Sequence, residues 1–331
     1  MSYFIWIFVV EVVVISGIAF LMSRRKSSID KAVAKLSTSV GLVIPPELDE
    51  WIRTRVRIKA RGRLIGSIGV PVVGLGAVAL FGSLSQASSA FLPLGLFIFG
   101  MIVGEAIGAL VGELRRPGAA LRVARPRAVT LTDYVPRRVQ VVVPVAFFAA
   151  IAITVMSLIS IAGVSTSRYA SQFHAGELSN IYGLAALALL GFTVWAVGGF
   201  LVMRKAQPAT TPAELAWEDA FRADCLYGLS AATFIGPLYL LIATFLAVDF
   251  VSVSSKAADA ALEPYEVAIV IVGVAVLAGM VIAYVRAPKR QYLRRLWPNL
   301  EAESRAAEAD RYRAEVAAML GSGVTKAAPE K

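Results

Sequence analysis

Two acidic residues lie inside long apolar stretches of this sequence, and their position could support chemistry. Glu11 lies within YFIWIFVVEVVVISGIAFLM, and Glu105 lies within FGMIVGEAIGALVG. A carboxylate in the apolar part of a membrane is costly, so each acid should face protein and be either paired or protonated. Two interpretations follow: a site for protons or cations, or a neutral acid that is hydrogen-bonded to a neighbouring helix.

Other residues that commonly carry catalysis are scarce. The chain has one His and one Cys. His174 and Glu177 could supply half of a metal site, but the sequence offers no further set of ligands. It contains neither a phosphate-binding G-x-x-x-x-G-K-[ST] motif nor H-E-x-x-H. Cys225 is expected to be a packing residue at a helix end. We therefore expect no catalytic residue, no cofactor and no metal.

The elements that carry these residues are predicted to be membrane-spanning helices. The chain has 331 residues, of which 57% are hydrophobic, and its mean hydropathy is +0.69. A helix needs roughly 20 apolar residues to cross a bilayer. Seven segments meet this requirement: 3–22, 64–84, 90–112, 139–163, 181–203, 226–249 and 265–285. The predicted fold is an all-α bundle of seven transmembrane helices over residues 1–285, followed by a cytoplasmic segment over residues 286–331.

The distribution of basic residues predicts the orientation of the bundle. Of the 33 Lys and Arg residues, 31 fall in four segments that seven crossings place on one side: 23–63, 113–138, 204–225 and 286–331. Cytoplasmic loops carry an excess of Lys and Arg. We therefore expect a multi-pass protein with the N-terminus outside and the C-terminus in the cytoplasm.

Four glycines recur at every fourth position of the third span: Gly100, Gly104, Gly108 and Gly112. Small residues at this spacing let two helix backbones approach closely. The second span, which a short turn joins to the third, offers four glycines as the facing residues: Gly66, Gly69, Gly74 and Gly76. Tight packing within this hairpin is therefore favoured over a dimer interface.

The second, fourth and sixth spans each contain one proline that could kink the helix: Pro71, Pro144 and Pro237. An acid, an aromatic residue and an arginine precede each proline: Asp49/Trp51/Arg53, Asp133/Tyr134/Arg137 and Asp219/Phe221/Arg222. One leading helix followed by three similar hairpins would explain this pattern, and so would chance recurrence of short patches. Kinks would free backbone carbonyls and favour a polar cavity near the cytoplasmic half.

Parts of the basic segments are amphipathic. Before the second span, an apolar stripe lies beside six basic residues. The stripe consists of Leu48, Trp51, Ile52 and Val56. A second group of apolar residues lies among basic ones after the last span: Tyr292, Leu293, Leu296 and Trp297. Both stretches are expected to lie on the membrane surface, with their bases near anionic lipid headgroups. Nucleic acid is not an expected partner, because membrane topology already explains the positive charge.

A helix start is predicted before the sixth span. Thr211 is placed as its N-cap, Pro212 as the first helical residue and Glu214 at the third position, as in a capping box. Prolines and acids at residues 45–50 give a similar signal before the second span.

Short motifs in three of the basic segments carry a resemblance. They are VIPPEL at residues 43–48, the stretch from RVA to LTDYVP at residues 122–136, and EDAFR at residues 218–222. In these motifs the chain resembles a group of uncharacterised polytopic integral membrane proteins of actinobacteria. The resemblance implies a bacterial plasma membrane and no particular activity.

Two functions fit these features better than a third. A non-catalytic membrane module, such as a scaffold, sensor or regulatory subunit, fits the small outer loops and the large charged inner ones. Such a module would bind a protein partner at its cytoplasmic face. A transporter, or the membrane subunit of an export complex, fits Glu11, Glu105 and the three prolines. An intramembrane enzyme is the third hypothesis, and no motif supports it.

Overall fold

A computed structural model describes residues 26–81, 86–115, 129–164, 175–207, 209–252, 256–285, 290–307, 309–310 and 313. Within these residues the regular elements are all helical, which confirms the predicted all-α class. The elements are α1 (Lys26–Val40), a 3-10 turn (Pro46–Leu48), α2 (Asp49–Phe81), α3 (Gln86–Leu114), α4 (Leu131–Tyr134), α5 (Arg137–Val164), α6 (Ala175–Arg204), α7 (Pro212–Ser252), α8 (Lys256–Val285) and α9 (Gln291–Leu296). The chain is helical again at residues 298–307.

Five helical segments among the described residues are long and apolar enough to cross a membrane: Gly95–Leu114, Arg137–Ala162, Ile181–Arg204, Pro212–Asp249 and Leu262–Gly279. They overlap the third to the seventh predicted spans. The first predicted span and Glu11 lie outside the described residues. The second predicted span lies within α2 as far as Phe81.

Apolar side chains are exposed in a belt around the bundle. On α5 the exposed side begins with Arg138 and continues with Val141, which is 52% exposed. On α2 the exposed side chains change from the basic Arg61 and Arg63 to the apolar Ile65, which is 70% exposed. An exposed apolar surface of this extent is typical of contact with a membrane or a partner, not with water. The belt and the five apolar helices identify a multi-pass membrane protein.

Helix α7 lies at the centre of the bundle. It packs against α3, α5, α6 and α8, while α2 packs along α3. Its residues Leu229, Phe234 and Leu240 are fully buried. Consecutive helices α5 and α6 touch each other much less than α5 touches α8 or α6 touches α7. The second of the three hairpins suggested by the sequence is therefore not a closely packed pair.

Glycines bring the backbones of α2 and α3 together. A Cβ atom at Gly104 would lie 2.7 Å from Gly66 Cα, and closer still to the carbonyl oxygen of Gly62. A Cβ atom at Gly108 would lie 3.0 Å from Gly62 Cα. Of the glycines expected to face the ladder, Gly66 does so, whereas Gly69 has no atom within 4 Å of its Cβ position. Gly62, which was not among the predicted glycines, lies one turn before Gly66 in α2 and also faces the ladder.

The glycines at the two ends of the ladder differ in how closely they approach α2. A Cβ atom at Gly100 would lie 2.8 Å from Val70 Cβ and closer still to the carbonyl oxygen of Gly66, whereas at Gly112 it would meet the Arg55 side chain at an ordinary 3.5 Å. Gly74 faces the Leu96 side chain. The close approach of the two backbones therefore extends from Gly100 to Gly108 and ends before Gly112.

The three prolines Pro71, Pro144 and Pro237 lie inside continuous helices α2, α5 and α7. The predicted start of α7 is confirmed, because the Glu214 amide donates to Thr211 Oγ1 at 3.1 Å. The Glu214 carboxylate accepts a bond from the amide of Thr210, at 2.6 Å, instead of the N-cap amide.

The two amphipathic stretches pack on protein, which differs from their expected place on the membrane surface. Ile52, Tyr292 and Leu293 are fully buried, and Trp51 packs against Phe221. An apolar stripe has the same pattern whether it faces lipid or protein, and here α1, α4 and α9 fold over the ends of α2 and α7. These elements form the basic end of the bundle, where α3 ends and α7 begins.

Candidate functional site

Two positively charged and two negatively charged side chains are buried together at the basic end. Arg55 Nη1 lies 2.8 Å from Glu113 Oε2, and Arg55 Nη2 lies 3.6 Å from Glu218 Oε2. Arg222 Nε lies 3.7 Å from Glu113 Oε1. The four side chains are between 1% and 6% exposed. We call them the buried quartet; its two positive and two negative charges cancel, and their mutual attraction offsets the cost of removing them from water.

Aromatic rings enclose the arginines of the buried quartet. The Arg55 guanidinium carbon lies 5.3 Å from the centre of the Trp51 ring and 5.4 Å from that of Phe221. The Arg222 guanidinium carbon lies 5.9 Å from the Tyr134 ring centre. Rings at this distance attract a cation and keep water away from it. The quartet is therefore held on several sides by α2, α4 and α7.

Lys205, just after α6, ties the quartet to the ends of two helices. Its Nζ donates to the carbonyl oxygen of Glu113 at 2.6 Å, and its own carbonyl accepts from Arg222 Nη2 at 2.8 Å. The first bond satisfies one of the carbonyls that every helix leaves free at its C-terminal end. Burial lowers the pKa of the Lys205 amine below its ordinary value, and the Glu113 carboxylate opposes that shift.

Glu105 belongs to a second, more exposed group of charges. Lys59 Nζ lies 2.6 Å from Asp224 Oδ2 and 3.3 Å from Glu105 Oε1. Burial by itself would lower the pKa of Lys59, but the carboxylates of Asp224 and Glu105 outweigh it and raise that pKa above its ordinary value. We call these three residues the Lys59 triad. The acid that the sequence singled out is thus paired with a lysine of α2.

The Lys59 triad lines a cleft of about 440 Å³ between α1, α2, α3 and α7. The charged residues of its lining are Lys35, Arg55, Lys59, Arg63, Glu105 and Asp224. Its apolar wall includes Leu36, Val56 and Ala109. Helix α1 forms one side and is held there because Arg53 pairs with Asp30 on α1.

Asp219 on α7 collects hydrogen bonds from three other parts of the chain. Its carboxylate accepts from Tyr134 Oη at 2.7 Å, from Gln207 Nε2 at 2.7 Å and from Trp297 Nε1 at 2.8 Å. These donors come from α4, from the loop after α6 and from the residue after α9. Asp219 therefore holds α4, the loop after α6 and the residue after α9 against α7, and it does not line the cleft.

The three acid–aromatic–arginine patches of the sequence meet in part. Tyr134 bonds to Asp219, and Trp51 packs edge-on against Phe221 at 5.2 Å. The other acids have local roles: Asp133 caps α4 by accepting from the Thr130 amide at 2.8 Å, and Asp49 pairs with Arg53 at 2.7 Å. The patches meet at one end of the bundle without forming three equivalent units.

The structure places one of the two predicted acids, Glu105, in the cleft, while Glu11 and His174 lie outside the described residues. Cys225 is buried and free, in agreement with its predicted packing role. The buried quartet was not predicted from the sequence. A usable signal was Glu113, an acid at the junction between an apolar span and the arginine pair at residues 115–116.

Comparison of the chain with protein-family models, with curated proteins and with solved structures found no match. The resemblance to actinobacterial membrane proteins therefore stays a prediction.

Proposed function

We propose that this protein is a non-catalytic module of a bacterial plasma membrane that works as a scaffold, sensor or regulatory subunit through its basic end. The observation that carries the proposal is the buried quartet, in which charges from α2, α3 and α7 neutralise one another. Groups engaged in this way fix the relative positions of helices. An active site would instead need an acid, base or nucleophile free to meet a substrate.

Helix α7 is long enough to extend beyond the bilayer, so the basic end forms a folded layer outside it. Helix α7 has 41 residues, which is about 61 Å at a rise of about 1.5 Å per residue. The hydrocarbon core is only about 30 Å thick. The part of α7 that carries Glu218, Asp219 and Arg222 therefore lies beyond the apolar belt.

Three helices support one position for the membrane surface at this end. The exposed side chains change between charged and apolar at Arg63 and Ile65 on α2, and at Arg138 and Val141 on α5. On α6 the change falls between Leu201 and Arg204. With α2 and residues 3–22 as two further crossings, the chain crosses the membrane seven times. The excess of basic residues then puts the N-terminus outside and the basic end in the cytoplasm.

Cysteine labelling tests this orientation in the full chain. Val43, 87% exposed, lies at the basic end, and Glu263 is exposed near the start of α8 at the opposite end. In a Cys225→Ser background, we expect a membrane-impermeant maleimide to label Glu263→Cys in intact cells. It should label Val43→Cys only after permeabilisation. The reverse pattern would contradict the orientation.

A photo-crosslinking residue at Val43 tests for a partner. We expect the full chain purified in mild detergent to carry one cross-linked protein in a stoichiometric amount. The same residue at Val274, in the apolar belt on α8, is the control and should capture no such protein. Recovery of the Val43 variant without a partner would count against the scaffold role.

The Lys59 triad favours a second candidate, the membrane subunit of a transporter. Its carboxylates reach an open cleft, so a proton or a cation could take the place of the Lys59 amine. If so, proteoliposomes with wild-type protein should take up protons along an imposed gradient, and Glu105→Gln should abolish uptake without loss of folding. Glu47→Gln, an exposed acid away from the cleft, is the control. Equal proton uptake by wild type and Glu105→Gln would remove this candidate.

A further inference from the structure

Two cations on the rim of the cleft have no acidic partner among the residues that the structure describes. Lys35 on α1 and Arg63 on α2 both line the cleft, and both are exposed. Arg63 Nη2 donates to Met101 Sδ at 3.1 Å, and a thioether sulfur is a weak acceptor. Both side chains are therefore available to an anionic ligand.

The charges around the cleft add up to a small positive excess. The buried quartet is neutral, and the Lys59 triad carries one net negative charge because two carboxylates share one amine. Lys35 and Arg63 add two positive charges. The excess of positive charge favours an anionic ligand, such as a phosphodiester. A phosphate also suits the planar fork of donors on arginine.

The cleft combines these cations with an apolar wall. Leu36, Val56 and Ala109 line it beside the charged residues. Its volume of about 440 Å³ falls within the range of about 300–1,000 Å³ that is usual for small-molecule sites. Arg63 also lies two residues before Ile65, where the exposed side of α2 becomes apolar. The cleft thus opens at the level expected for lipid headgroups.

We propose that the cleft binds the phosphodiester group of an anionic membrane phospholipid, with Lys35 and Arg63 holding the phosphate. A free phosphate ion shares the same chemistry, but the apolar wall and the position beside the belt favour a ligand with an apolar portion. The proposal rests on the proposed placement of the basic end at a membrane surface.

Native mass spectrometry of the full chain tests this site. The protein is released from nanodiscs that contain phosphatidylglycerol and phosphatidylcholine in equal amounts, and the lipid that stays bound is identified. We expect wild type to retain one phosphatidylglycerol in preference to phosphatidylcholine. The double variant Lys35→Gln/Arg63→Gln should bind it about tenfold more weakly or worse, because each basic residue near a membrane surface contributes appreciably to anionic lipid binding.

Matched controls separate the site from general surface charge. Lys31→Gln/Arg61→Gln removes the same charge from exposed residues of α1 and α2 outside the cleft lining, and it should retain the lipid like wild type. Arg63→Lys keeps the charge and should retain most of the binding. All variants change exposed side chains, so their midpoints of thermal unfolding should match that of wild type.

Two results would overturn the proposal. Equal retention of phosphatidylglycerol by both double variants would show that Lys35 and Arg63 form no site. Saturable binding of inorganic phosphate to delipidated protein, without preference for phosphatidylglycerol, would show that the source of the phosphate is not a lipid. A failure of the membrane placement itself would be seen separately, in the labelling of Val43→Cys and Glu263→Cys.

Discussion

At the scale of single residues, the buried quartet makes each of its charges depend on the others. Arg55 lies between Glu113 and Glu218, and Arg222 shares Glu113. The desolvation cost of each buried ion is several kcal/mol, and it is offset only while the opposite charge remains in place. The quartet is therefore more important for keeping α2, α3 and α7 in register than for adding net stability.

Glu113→Ala should destabilise the protein strongly, because it leaves two buried arginines to share the single carboxylate of Glu218. We expect a loss of about 3–5 kcal/mol in the free energy of unfolding, the range for breaking a buried ion pair. The measurement is unfolding by titration with sodium dodecyl sulfate in mixed micelles. Glu47→Ala, at an exposed acid of the 3-10 turn, should change that free energy by no more than about 0.5 kcal/mol. Equal stability of the two variants would contradict the role given to the quartet.

At the scale of elements, the contact between α2 and α3 depends on residues without side chains. Gly62 and Gly66 on α2 meet Gly104 and Gly108 on α3 at distances that leave no room for a methyl group. Two charged residues of the cleft lie on the same two helices, with Lys59 three residues before Gly62 and Glu105 next to Gly104. The glycine contact therefore sets the distance between Lys59 and Glu105.

Gly104→Ala should push α2 and α3 apart, because its Cβ atom would lie 2.7 Å from Gly66 Cα. Overpacking of this kind costs about 1–3 kcal/mol in the free energy of unfolding. Gly69→Ala is the matched control in α2. Its Cβ position is open, and alanine is a better helix former than glycine by about 1 kcal/mol, so this variant should be as stable as wild type or more stable. The midpoints of thermal unfolding in detergent compare the two, and a destabilised Gly69→Ala beside an unaffected Gly104→Ala would contradict this packing.

The helices could be predicted from the sequence to a greater extent than the residues of the site. Helix α7 begins where Thr211 and Glu214 indicated, because a cap is formed by neighbouring residues. The partners of the site are distant in the chain: Arg55 and Glu113 are 58 residues apart, and Lys59 and Asp224 are 165 apart. No local pattern encodes such pairs, since they exist only once the helices have packed.

At the scale of the whole molecule, residues near the C-terminal end of the described chain close the basic end. Tyr292 Oη donates to the carbonyl of Val40 at 3.1 Å, and Arg290 Nη2 donates to that of Thr38 at 2.6 Å. Trp297 reaches Asp219 on α7. These bonds join α1 to segments about 250 residues later in the chain, so α1 is held against the bundle from the C-terminal side as well as by Arg53.

Deletion of residues 290–331 should therefore loosen α1 and lower the stability of the whole bundle. The deletion removes the fully buried side chains of Tyr292 and Leu293, and burial of such a side chain contributes about 1.5–3 kcal/mol to the free energy of unfolding. It also removes Trp297, which donates to the buried Asp219 carboxylate. Deletion of residues 314–331 is the control, because it keeps every contact named above. Hydrogen exchange at the amides of residues 28–40 measures the release of α1 directly, and we expect faster exchange only in the longer deletion. Identical exchange rates and unfolding midpoints for the two deletions would show that α1 is held by its contacts with α2 alone.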